Sequence, residues 1–170
     1  NLSNGLMFGP RRSDGSAFDE AYVERRLAHE PVVEVTQIKG DGEAHPWLSP
    51  GDEFADFGTW DRADIGARDP KTNDMLQYEY ARSALKLGLQ YEAALGSNPF
   101  QFGMIGASDS HTGLSTAREE NYFGKFISSE PVKGRGDGYV VHNQTGDDSL
   151  SWRTWDEVAS GLAGVWALEN

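Results

Sequence analysis

Four residues in two short segments carry side chains able to share one ion. Glu43-x-His45 and Asp109-x-His111 repeat one pattern: a carboxylate, a spacer and an imidazole. In an extended backbone, residues two apart point the same way, so both members of each pair can reach a common ion. Imidazole with carboxylate suits zinc, manganese or iron, and not calcium, which prefers oxygen alone. The competing reading is structural. In it, Asp109 and His111 cap a turn, and Glu43 and His45 are solvated loop residues. Lys39 stands beside the first pair. A cation there suits a substrate phosphate or a developing negative charge; the plainer reading is an ordinary lysine at a strand end.

Other candidates carry less chemistry. Glu119-Glu120-Asn121 offers a ligand or a base, but adjacent acids are usually solvated. His29 precedes Glu30-Pro31 at a helix end, where an imidazole suits the macrodipole. His142 falls in a Gly- and Asp-rich stretch and reads as exposed. Arg135-Gly136-Asp137 resembles an adhesion tripeptide, and Asn1-Leu2-Ser3 and Asn143-Gln144-Thr145 match the glycosylation triplet, all too short to carry weight. No phosphate-loop pattern and no Gly-x-Ser-x-Gly elbow is present. There is no cysteine, which excludes thiolate zinc sites, cysteine nucleophiles and disulfide scaffolds.

The elements that must position these residues follow from patterning. The chain has 170 residues, enough for one domain with a real core. Hydrophobic residues make up 38% and charged residues 25%, the composition of a folded chain. No apolar run approaches the roughly 20 residues that span a bilayer. Fifteen basic against 27 acidic residues leave a net charge of −12, which argues against a nucleic-acid partner. Phe18 to Ala28 reads as a helix ended by Pro31, and β-branched Val32 to Ile38 as a strand. Asp74 to Leu95 places Leu76, Tyr80, Ala84, Leu87, Tyr91 and Leu95 on one helical face, with Gly96 as its stop. Phe102 to Ala107 fits a buried strand, and Leu162 to Ala167 a third. Asp52 to Trp60 reads as one or two helical turns, and 131–150 as a surface insert. Strands alternating with helices give an α/β class with a mostly parallel sheet. In such sheets ligands bind beyond the carboxyl ends of the strands, where both acid–imidazole pairs and Lys39 fall. Both termini read as cut from a longer chain.

Several longer segments carry a family resemblance. They are Asn1 to Phe8, Gln37-Ile38-Lys39-Gly40-Asp41-Gly42-Glu43-Ala44-His45-Pro46, Ser49 to Ala55, Ile105-Gly106-Ala107-Ser108-Asp109-Ser110-His111-Thr112-Gly113 and Ala159 to Ala167. Together they resemble a large bacterial family, domain of unknown function 3604, grouped with metal-dependent hydrolases of the polymerase-and-histidinol-phosphatase (PHP) type. The resemblance implies a distorted, amidohydrolase-type α/β barrel of mostly parallel strands with flanking helices. It implies two or three divalent ions (Mn, Zn or Fe) and a small phosphorylated substrate cleaved by a metal-activated water. It matches Asp109 and His111 to the family's last metal-binding motif, adds Glu43 and His45 as ligands, and sets Lys39 near the substrate, with Glu43 sharing in catalysis. It further implies a missing N-terminal part carrying earlier ligands, this chain being the C-terminal portion of one barrel domain. Two alternatives stand beside this: a non-catalytic or incomplete metal-binding fragment, and an amide-cleaving hydrolase.

Overall fold

Asp19 starts the first helix as expected of an acidic cap. Its side chain accepts from the Tyr22 N–H, and α1 runs Glu20–His29. The computed structural model of the chain describes residues 2–111, 113, 118, 120, 125 and 133–158. After α1 come β1 (Val32–Gln37), β2 (Gly40–Asp41), α2 (Asn73–Leu76), α3 (Ala81–Leu95), β3 (Gly103–Gly106), β4 (Tyr139–Val141) and β5 (Trp152–Arg153). The expected strand at Leu162 to Ala167 lies outside the described residues.

The expected parallel α/β barrel is not what forms. The described residues make a three-stranded sheet of order β2-β1-β3 and a separate two-stranded sheet, β4-β5, with no closed barrel. Only β1 and β3 run parallel; β1–β2 and β4–β5 are antiparallel. The reason lies at Ile38-Lys39-Gly40. A parallel neighbour needs a long crossover, whereas a tight turn returns the chain antiparallel. Gly40 sits at φ +75°, and the chain doubles back so that Gln37 pairs with Gly40 and Thr36 with Asp41. The stretch between β2 and β3 holds α2 and α3 and supplies the one parallel crossover among the described residues.

Gly40 also admits a close backbone approach. A Cβ there would stand 2.2 Å from the Gly58 carbonyl oxygen and 2.3 Å from that of Phe57. We expect Gly40→Ala to cost about 2–4 kcal/mol, from overpacking against backbone plus the positive φ. A urea midpoint unchanged from wild type would contradict this.

The long amphipathic stretch forms, but not as one helix. It breaks between Leu76 and Ala81, with Tyr80 extended at φ −111° and ψ 136°. Two distant carbonyls take over the first turn of α3: Ala81 N–H donates to Gly42 O and Arg82 N–H to Glu43 O, each at 3.0 Å. The apolar face behaves as its spacing requires. Ala81 and Ala84 are buried with Phe8, Phe18, Val23, Val33 and Phe100, and Leu87, Tyr91 and Leu95 pack around them. Phe8 meets Phe100 edge to face with ring centroids 5.4 Å apart. Residues 52–60 form turns and bends, not helix.

A second core lies toward the carboxyl end of β1. Leu2, Ile38, Trp60 and Trp152 are buried together, and Val140 and Val141 of β4 pack on them. Trp60 and Trp152 stack at 4.8 Å and 8°. Trp152 therefore ties β4-β5, and residues 139–141 with them, to the strand that carries Lys39. The triplet residue Asn143 is 1% exposed, and its side chain donates to Ala67 O and accepts from the Thr145 and Asp147 N–H groups, which makes it a loop-fixing residue. His142 is exposed beside Asp148.

Candidate functional site

β1 and β3 are parallel, so their carboxyl ends open on the same side of the sheet. Gln37, Ile38 and Lys39 continue from one strand, and Asp109 and His111 follow the other. These five residues line one cavity of about 360 Å³, together with Lys125. The backbone holds the two ends in step: Ala107 N–H donates to Thr36 O at 3.0 Å. The β1–β3 register shifts between Glu34 and Thr36, which leaves Val35 as a bulge just before the site.

The cavity's polar groups are closely coupled. Asp109 forms an ion pair through Oδ2 with the Lys125 Nζ, and its Oδ1 stands 3.5 Å from His111 Nε2. His111 N–H donates to Lys125 O at 2.7 Å, and Lys125 N–H to Glu157 Oε2 at 3.1 Å. Asp109 takes φ +49°, a left-handed conformation that Asp tolerates better than most residues. Burial pulls the Lys39 ammonium below the ordinary lysine range; Glu34 and Asp109 oppose that pull, and Lys125 adds to it. Glu34, whose Oε2 accepts from Gln37 Nε2 at 2.6 Å, thus belongs electrostatically to this cluster.

The Glu43–His45 pair goes elsewhere. Glu43 lines a different cavity, with Asp41, Glu53, Phe54, Asp56 and Phe57. Arg82 holds its carboxylate at 2.9 Å and also pairs with Asp52. His45 is buried at 7% exposure, and both ring nitrogens are engaged. Its Nδ1 accepts from the Trp47 N–H at 3.0 Å, which puts the proton on Nε2, 3.1 Å from Asp61 Oδ2. The two residues do not lie in a strand. Asp41 Oδ1 accepts from the Glu43 and Ala44 N–H groups, and the chain bends at 42–43. The four expected ligands therefore do not converge. Among the described residues, no group of three or more His, Asp or Glu side chains could hold a metal ion. The Asp109–His111 pair, a carboxylate and an imidazole in one cavity, is the part of that set whose chemistry fits a divalent ion.

His45 has a measurable structural consequence. Its hydrogen bond is the main cause holding the Asp61 carboxyl below the ordinary carboxylate range. A depressed folded-state pKa gives stability that is present above the unfolded value near 4 and lost as pH falls through the folded value. Asp61→Asn removes that contribution, so its urea midpoint will fall less steeply than wild type on acidification below about pH 4. Parallel slopes for the two proteins would contradict the pairing.

Spacing alone did not reveal Lys125, Glu34 or Gln37. Glu34 had a signal: it is an acid in the middle of the apolar run Val32 to Ile38. Lys125 had none, because its link to Asp109 crosses 16 residues.

Compared with known proteins, the whole chain, residues 1–170, matches the family described as protein of unknown function (DUF3604), and the chain belongs to that family. No curated protein and no solved structure matches it. Among the described residues, no helix is long and apolar enough to cross a membrane.

Proposed function

We propose that this member of the DUF3604 family is a hydrolase of small phosphoesters, with the phosphoryl group seated at the carboxyl ends of β1 and β3. One observation carries the reading. A chain of net charge −12 gathers Lys39, Lys125 and His111 around a single cavity, with Asp109 among them. Lys39, Lys125 and His111 offer an anion N–H donors in one place on a chain whose net charge is otherwise negative. The likeness of the motifs to hydrolases of the PHP type supports the same substrate class.

The residues divide the work by position. Lys39 and Lys125 bind the phosphoryl oxygens and stabilise the charge that grows on them. The water that attacks phosphorus passes its proton to the departing ester oxygen, beside Asp109 and His111. Glu34 and Asp109 oppose the effect of burial on the Lys39 ammonium. A divalent ion bound here would be held by Asp109 and His111, and would supply charge for the phosphoryl oxygens and a bound water of lowered pKa.

The test is a panel of phosphomonoesters, phosphodiesters and cyclic amides assayed with the intact protein, with metal content measured in wild type and in Asp109→Ala/His111→Ala. Turnover of a phosphoester that the double variant loses is the expected result. Cleavage of amides alone would replace phosphoester with amide chemistry, and equal turnover by the double variant would end the proposal.

A further inference from the structure

The cavity that holds Lys39 and Asp109 has a lining of two unlike kinds. Beside Gln37 and the charged groups, its described lining is apolar: a buried floor of Leu2, Ile38 and Trp60, with Ile65, Val140 and Val141. The floor residues are 8%, 2% and 3% exposed and belong to the second core, so this wall is fixed. Ile65 is 67% exposed, an isoleucine open to solvent at the cavity. Trp60 Nε1 donates to Asp156 O, and Ile65 N–H donates to Leu2 O. Among the described residues, none of these six side chains offers a hydrogen bond to a ligand.

Such an apolar lining is costly for a sugar, nucleoside or glycerol group, whose hydroxyls would lose water and gain no partner. It favours a compact apolar group. One benzene ring fits in about 150 Å³, which leaves room in about 360 Å³ for a phosphoryl group beside it. Building on the hydrolase reading above, we infer that the substrate is an aryl or short branched-alkyl phosphate. Its phosphoryl group lies against Lys39 and Lys125, and its apolar group against Trp60, Ile65 and Val140. Ile65 and Val140 then determine specificity without touching the reacting atoms.

Isothermal titration with phenylphosphonate and with inorganic phosphate separates the two claims. Wild type should bind phenylphosphonate about 10- to 100-fold more tightly than phosphate, the range expected for burying one face of a phenyl ring. Ile65→Ser and Val140→Thr should each reduce that preference several-fold while phosphate affinity stays within about threefold. Equal affinity for both ligands, or an undiminished preference in both variants, would overturn the apolar subsite and leave the phosphoester reading standing. Binding of neither ligand would overturn the phosphoester reading and this inference with it.

Discussion

Lys71→Met is expected to destabilise the protein by about 3–5 kcal/mol, a large share of the roughly 5–15 kcal/mol that holds a domain folded. Lys71 and Glu79 form an ion pair whose side chains are 1% and 0% exposed. The pair is closed by polar neighbours: Ser3 donates to Glu79 Oε1 through both N–H and Oγ at 2.9 Å, and Lys71 Nζ donates to Asn4 Oδ1 at 3.0 Å. Removing the ammonium strands a carboxylate in the interior, which costs far more than the pair itself contributes. The double variant Lys71→Met/Glu79→Leu should therefore regain much of the loss. Urea unfolding of the two single variants and the double gives the coupling directly. Additive single effects would contradict a closed buried pair.

That cluster also reaches the site. Ser3 is fixed on Glu79, and Leu2 beside it forms part of the cavity floor. The buried pair thus helps place the apolar wall, and Glu79 lies in the break before α3. The Asp74–Leu95 periodicity runs unbroken through the break, so local spacing predicts one helix where tertiary contacts enforce two.

The second large effect concerns Lys39. Lys39→Met should lower kcat/KM for a phosphoester by about 100- to 1,000-fold, the range seen when one preorganised donor to a developing anion is lost. Lys39 lies in the turn between β1 and β2, and Gly40 fixes where that turn rejoins the sheet. Stability should change little, because methionine preserves the stem that packs along the cavity. A loss of activity that merely tracks a lowered urea midpoint would assign Lys39 to structure. Retained activity at an unchanged midpoint would remove it from the site.

Much of this site was legible in the residues. The strand ends were readable from β-branched runs and their breakers, and the rule that ligands gather beyond the carboxyl ends of parallel strands led to Lys39, Asp109 and His111. The Glu43–His45 pair shows where that reasoning fails. It carries the same acid–spacer–imidazole pattern as Asp109–His111, yet partners 39 and 16 residues away decide its fate. The shared direction of residues two apart holds only in extended chain, and Asp41 bends the chain there by accepting two backbone N–H groups. The mostly parallel sheet, and the barrel that the family resemblance implied, failed for a related reason. Alternating strands and helices suggested parallel crossovers, but one glycine at positive φ turned β2 back beside β1.

The most direct measurement compares kcat/KM of Asp109→Asn and Glu43→Gln on one aryl phosphate, with metal content and urea midpoint recorded for each. The account predicts that Asp109→Asn loses at least about 100-fold at near-native stability, while Glu43→Gln, whose carboxylate only anchors Arg82, keeps most of its turnover. The reverse pattern, an active Asp109→Asn and an inactive, folded Glu43→Gln, would place the chemistry in the other cavity and contradict the account.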